Sequence, residues 1–191
     1  MPLIALLSRS RATTLLFMLA ALVLASIVAS PLEQPQGDLR IVGSRAMRSP
    51  VESWTTLYLK RYPRSRVHTA LYGSGLAAGA MADRRADVAP MTRALNTSEQ
   101  AMLPAHVRPI AIAVGRQPLP SGGYEPVYIY VARDPAGRAI PAAVAFARVA
   151  VSARGQSAMA RLGFEPLPLD RRDGARSKLA ALAADRVDLA K

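Results

Sequence analysis

Apolar residues recur along the chain with two different spacings, and the two spacings alternate. Between Pro50 and Pro63 the apolar side chains fall on one side of a helix: Val51, Trp54, Leu57 and Tyr58. Over residues 66–72 they instead follow every second position, which is typical of a strand. Short apolar runs predict further strands at 39–42, 86–90, 107–114 and 127–134. Further helices are predicted at 76–85, near 97–104, over 141–162 with a break near Gly155, and at 175–189.

This alternation of strands and helices predicts an α/β fold with a mainly parallel sheet flanked by helices. In such sheets, ligands bind beyond the carboxyl ends of the strands. Three polar turns stand at those ends: residues 43–47, which read Gly-Ser-Arg-Ala-Met; Gly73-Ser74-Gly75; and Met91-Thr92-Arg93.

These three turns have the chemistry of an oxyanion site. Two of them lead into helix N-termini, where free N–H groups and the helix dipole favour an anion. Ser44, Ser74 and Thr92 add hydroxyl groups, and Arg45 and Arg93 add guanidinium groups. Each turn alone is also explained as a requirement of chain reversal, so the hypothesis depends on the three together.

The composition favours an anionic partner and argues against several kinds of site. Of 191 residues, 25 are Lys or Arg and 13 are Asp or Glu, for a net charge of +12, although an arginine-rich solvated surface would give the same count. With no cysteine and two histidines, we expect neither a metal site nor a cofactor. No nucleophile motif is present, so we expect no enzyme activity, and 5% aromatic content offers no stacking platform for nucleic acid.

The N-terminal segment has the order of a secretory signal peptide. Arg9 and Arg11 precede an apolar run at 15–28, and the small residues Ala29 and Ser30 follow. Residues 1–30 are therefore predicted to be a signal peptide, with an uncleaved N-terminal anchor as the alternative. Residues 31–38 are predicted to be a linker, and 39–191 a single domain outside the cytoplasm.

Longer motifs in this domain resemble the PstS-like phosphate-binding proteins of ABC transporters. The segments IVGSRAMRSPVESWTTLYLKRYP, VHTALYGSG and RRADVAPMTR are similar to three strand-and-turn units of the family's first lobe. EPVYIYVARDPAG and AFARVAVSARGQSAMARLGFEPLP are similar to the strand that returns to this lobe and to its closing helix. The resemblance implies a periplasmic-binding-protein fold of type 2, a periplasmic location and binding of phosphate.

The resemblance also implies that a second lobe is missing. Family members carry more than a hundred residues between the two halves of this lobe, here 39–115 and 125–169. Only residues 116–124 join the two halves in this chain, and they are predicted to be a short loop. The arginine and the turn that the second lobe supplies to the anion have no counterpart.

Ligand positions are carried over from the family residue by residue. Ala46 and Met47 match the first turn, where the family has a hydroxyl residue in place of Ala46. Ser74 matches the hydroxyl of the second turn, beside Gly75, and Thr92 matches the third turn. Arg93 matches a residue of one branch of the family.

Two functions follow as hypotheses. The first is a weak phosphate or oxyanion receptor that works with an ABC permease or another envelope protein. The second is a degenerate interaction protein that has lost phosphate and docks to a partner or to an anionic envelope polymer. The sequence indicates no oligomeric state.

Overall fold

Six strands form one sheet in the computed structural model, which describes residues 37–184. These residues lie within one compact unit. The strands are β1 (Gly37–Val42), β2 (Ser65–Ala70), β3 (Val88–Met91), β4 (Ile110–Pro118), β5 (Tyr124–Val131) and β6 (Glu165–Pro166). The helices are α1 (Arg48–Arg61), α2 (Ser74–Ala82), α3 (Thr97–Ala101), α4 (Pro141–Val151), α5 (Ala153–Arg161) and α6 (Leu169–Ala184), with 3-10 turns at Arg45–Met47 and Ala105–Val107.

The predicted signal segment 1–30 lies outside the described residues, as do residues 31–36 of the predicted linker and 185–189 of the predicted last helix. The last two linker residues, Gly37 and Asp38, belong to β1, where they pair with Ser65 and Arg66. No helix within residues 37–184 combines the length and the apolar character that crossing a membrane requires.

The strand order is β2-β1-β3-β5-β4-β6. β1 pairs in parallel with both β2 and β3. β5 is antiparallel to both β3 and β4, and β6 is antiparallel to β4. Four strands thus run in one direction and two run against them. The predicted helix-flanked α/β sheet is confirmed as a mixed sheet, in which three of the five strand pairs are antiparallel. Residues 127–131 lie in the same sheet as 39–42 and β4, and the strand predicted at 107–114 begins at Ile110 because residues 105–107 form a 3-10 turn.

Helices cover both faces of the sheet, because alternate strand residues point to opposite sides. On one face, Val127, Ile129 and Val131 of β5 pack in a core with α1, α4, α5 and α6. On the other face, Tyr130 joins a smaller core whose α2 contribution is mostly alanine. These small side chains let α2 lie close to the sheet.

Trp54 fixes α1 to the larger core. Its side chain is completely buried, its ring meets the Phe146 ring edge-on at 6.4 Å, and its Nε1–H donates to the Gly155 carbonyl oxygen at 3.2 Å. The break between α4 and α5 falls at Ser152, three residues before the predicted position, because the Ser152 hydroxyl caps α5 by accepting from the Gly155 N–H at 3.1 Å.

The connection between β4 and β5 is the main correction to the sequence prediction. Residues 116–118 and Tyr124 are paired strand rather than loop, so the turn is confined to 119–123. It is closed by bonds from Leu119 N–H to Gly123 O and from Gly122 N–H to Leu119 O, at 3.1 and 3.0 Å. The two halves of the domain are therefore joined by a β-hairpin.

Candidate functional site

The three polar turns meet at one edge of the sheet and are joined by main-chain hydrogen bonds. Gly73 N–H donates to the Gly43 carbonyl oxygen at 2.9 Å, which links the second turn to the first. Ser44 N–H donates to the Pro90 carbonyl oxygen at 2.8 Å, which links the first turn to the end of β3. The structure thus brings together the three segments that contain the predicted ligand residues.

In the first turn, Ala46 is exposed and its neighbour Met47 is not. The first helical hydrogen bond runs from Met47 N–H to Ser44 O at 3.1 Å, so the N–H groups of Arg45 and Ala46 lie ahead of it and have no helical acceptor. The Met47 side chain is completely buried in the larger core. Met47 is therefore a core residue whose N–H already has a main-chain acceptor, and its predicted role at the site stays a prediction. Ser44 is buried, and its side chain makes no capping bond to the helix.

In the second turn, Ser74 is the first residue of α2 and is half-buried, whereas Gly75 is exposed. The α2 N-terminus directs its first N–H groups towards this turn. Two large apolar side chains flank the turn: Tyr72 is 68% exposed and Leu76 is 59% exposed. The rim of the candidate site is therefore partly apolar.

In the third turn, Thr92 and Arg93 are both half-buried, but the Arg93 guanidinium is already paired. Its two terminal nitrogens donate to the Glu99 carboxylate at 2.7 and 2.6 Å, and one also donates to the Ala94 carbonyl oxygen at 2.9 Å. The bonds to Glu99 raise the pKa of Arg93 and lower the pKa of Glu99. Arg93 is thus held in place by Glu99, which also neutralises its charge.

Glu99 is the site residue that the sequence reasoning missed. It is buried and also accepts from the Asn96 N–H at 2.9 Å, while its own N–H donates to Asn96 Oδ1 at 2.8 Å. This reciprocal capping box has a sequence signature, Asn-Thr-Ser-Glu at 96–99, which would have located the carboxylate three positions into α3.

A second carboxylate acts on the same region from the β4–β5 hairpin. Glu125 interacts electrostatically with Arg93 and accepts from Gln117 Nε2 at 3.3 Å. The last residue of β3, Met91, pairs with Tyr128 of β5. β5 begins four residues before Tyr128, so the hairpin extends roughly 13 Å past the end of β3. The hairpin therefore stands beside the third turn, and its acidic residue lowers the local positive potential.

No group of three or more metal-ligating side chains occurs within residues 37–184. Apart from the guanidinium group of the exposed Arg45, the donors at this edge are neutral. The edge offers main-chain N–H groups at Arg45, Ala46, Ser74 and Gly75, together with the nearby hydroxyls of Ser74 and Thr92. Such donors suit an oxyanion of small charge and size.

No protein-family model matches the chain, and no curated protein matches it in sequence. Solved structures do match it. One is a crystal structure of a "possible phosphate binding protein" from Planctomyces limnophilus, with a TM-score of 0.65 over 77% of this chain and 99% of the other, at 10% identity. Another is a protein from Clostridium perfringens assigned as a phosphate ABC transporter substrate-binding protein and solved with bound phosphate. Its TM-score is 0.52 over 69% of this chain and 100% of the other, at 8% identity.

An ABC-type phosphate transport receptor from Vibrio cholerae also matches, at 21% identity over 42% of this chain. This chain spans 31% of that receptor, with a TM-score of 0.35. The first two structures are covered almost completely, so the match is to one whole lobe. The chain therefore has the single-lobe α/β fold of structures described as phosphate-binding proteins, the fold that its resemblance to the PstS-like family predicts.

Proposed function

We propose that the chain is an extracytoplasmic receptor for phosphate or a closely similar oxyanion. The proposal rests on two main-chain hydrogen bonds that join the three turns, one from Gly73 N–H to Gly43 O and one from Ser44 N–H to Pro90 O. These bonds hold two helix N-termini and the end of β3 at one edge. An anion at that edge would receive the N–H groups of Arg45, Ala46, Ser74 and Gly75 and the hydroxyls of Ser74 and Thr92.

Binding is expected to be weak. In a single lobe, water reaches the anion from the open side and screens its contacts with the donors. The Arg93 charge is also neutralised by Glu99, so the long-range attraction of an anion comes from the helix N-termini and from Arg45. Delivery to an ABC permease or another envelope protein, and a periplasmic location after export, form part of the same proposal.

Replacing Ser74 with alanine should weaken phosphate binding by about tenfold. A hydrogen bond to a charged group contributes roughly 1.5–3 kcal/mol, and each ~1.4 kcal/mol is tenfold in affinity. Ala46→Thr should strengthen binding because it adds a hydroxyl at an exposed position of the first turn. Isothermal titration with phosphate measures both changes, and Ser177→Ala, an exposed serine of α6, is the matched control.

Glu125→Gln should strengthen phosphate binding by about threefold at low salt and by less at high salt. The change removes a carboxylate that repels the incoming anion, and exposed charge interactions contribute up to roughly 1 kcal/mol. Asp173→Asn, which neutralises an exposed carboxylate of α6, is the control and should leave the affinity unchanged. Equal gains in both variants would indicate an effect of net charge alone.

The proposal is wrong if neither the wild-type chain nor Ala46→Thr binds phosphate or sulfate saturably below tens of millimolar. The exposed Tyr72 and Leu76 beside the second turn then favour the alternative, an interaction protein. In that case Tyr72→Ser and Leu76→Ser should abolish capture of the partner without affecting the fold.

A further inference from the structure

A groove of about 490 Å³ lies between α1 and α5 and is lined by no residue of the three turns. We name it the α1–α5 groove and define it by Ser53 and Leu57 of α1 and by Arg154, Ser157 and Arg161 of α5. Its volume falls in the usual range for small-molecule sites, although the groove is open to solvent and Arg154, Ser157 and Arg161 are exposed. None of its residues belongs to the candidate phosphate site.

Two unneutralised guanidinium groups line this groove. Arg154 and Arg161 are seven residues apart, which places them on one side of α5 at about 10.5 Å along the axis. Neither forms an ion pair with any residue in the described range 37–184, unlike Arg40, which pairs with Asp87, or Arg93.

The helices that form the groove supply little negative charge. The α5 sequence, ARGQSAMAR, contains no acidic residue. On α1 the single carboxylate is that of Glu52, and Lys60 offsets it from a position one turn beyond the groove residues Thr56 and Leu57. The groove therefore keeps a net positive charge.

The position of Arg154 adds to this charge. Arg154 is the second residue of α5, where the helix dipole disfavours a cation and favours an anion. No acidic residue occupies this first turn, and the Ser152 hydroxyl accepts only the Gly155 N–H. The N-terminus of α5 and Arg154 thus present N–H donors and a guanidinium to the same end of the groove.

The two helices that form the walls of the groove provide hydroxyl donors, and a buried hydrogen bond joins these helices. Ser53 and Ser157 contribute hydroxyls from opposite helices, and Leu57 forms part of the apolar surface between them. Beneath the groove, Trp54 Nε1–H donates to Gly155 O at 3.2 Å and ties α1 to α5. The spacing of the two walls is therefore set by the buried core.

We propose that the α1–α5 groove is a second anion site, which takes an elongated polyanion of small-molecule size, such as a short linear oligophosphate. One end would lie at Arg154 and the α5 N-terminus, and the other at Arg161, with the serine hydroxyls between them. A linear oligophosphate matches the axial separation of Arg154 and Arg161 better than a single orthophosphate does. The groove should therefore prefer tripolyphosphate to orthophosphate, whereas the three turns should not.

The test uses the full chain and inorganic tripolyphosphate. Titration calorimetry should show saturable binding that weakens about tenfold in Arg154→Gln and again in Arg161→Gln. Arg66→Gln removes the same charge from the exposed edge strand β2 and should have little effect. Amide NMR shifts induced by tripolyphosphate should map to α1 and α5.

The inference is overturned if tripolyphosphate does not bind saturably, if its shifts map to the three turns, or if Arg66→Gln weakens binding as much as Arg154→Gln. Failure of orthophosphate binding at the turns would leave it intact, because the two sites share no residue. Loss of tripolyphosphate binding in the groove variants with orthophosphate binding unchanged would support both sites independently.

Discussion

Replacing Gly43 with alanine is expected to destabilise the protein by about 3 kcal/mol, the upper end of the usual range for overpacked positions. A Cβ at this position would lie 2.2 Å from the Pro90 carbonyl oxygen and 2.8 Å from Pro90 Cδ. The carbonyl oxygen is main chain and accepts the Ser44 N–H, so it cannot move aside without separating the first turn from β3. Urea denaturation of wild type and variant measures the loss.

Gly75→Ala is the matched control, since nothing lies within 4 Å of a Cβ at this helical position. It should be neutral or stabilising by up to roughly 1 kcal/mol, because alanine favours the helix more than glycine does. Phosphate binding should disappear in Gly43→Ala even where the variant is still folded, because the turns no longer converge. A Gly43→Ala variant as stable as Gly75→Ala would contradict the close approach of β1 and β3.

The sequence predicts the fold best where periodicity and turn chemistry agree. The helix predicted between Pro50 and Pro63 lies at Arg48–Arg61, as its apolar spacing indicates. The strand predicted at 127–134 lies at Tyr124–Val131, so its apolar centre is where predicted and both of its ends are three residues earlier. The hairpin at 115–124 was missed because Pro118, Pro120 and the two glycines favour a loop locally. Its strands form only through pairing with each other, a tertiary effect that periodicity does not record.

The candidate site likewise has features that local sequence patterns predict and features that depend on tertiary contacts. That the three turns lie at one edge follows from a general property of α/β sheets, and the structure brings them together. The burial of Met47 depends on how the 3-10 turn is oriented over the core, and pairing of Arg93 depends on the position of α3. Neither is encoded in the spacing of the motif, although the capping box at Asn96 and Glu99 is a readable signal.

Glu99→Gln is expected to lower the free energy of unfolding by about 2 kcal/mol at neutral pH, within the range for hydrogen bonds to charged groups. The carboxylate accepts two bonds from Arg93 and one from the Asn96 N–H, and its side chain is only 8% exposed. A glutamine oxygen can replace the acceptor for Asn96, but its NH₂ group would face the donors of Arg93. Asp83→Asn, which breaks the exposed pair with Arg85, is the control and should lose less than about 1 kcal/mol.

The sign of the pH dependence follows from the lowered pKa of Glu99. A carboxyl whose pKa is lower in the folded chain stabilises the fold above its unfolded pKa of about 4.3 and loses this contribution as the pH falls through the folded value. The difference in unfolding free energy between wild type and Glu99→Gln should therefore be largest near pH 7 and shrink below about pH 4.

Phosphate affinity should change the opposite way, rising several-fold in Glu99→Gln at pH 7, because the Arg93 charge is no longer neutralised. A stability difference that persists unchanged to pH 3 would contradict the ion pair. Unchanged phosphate affinity in a folded variant would mean that the Arg93 charge does not act on the bound anion.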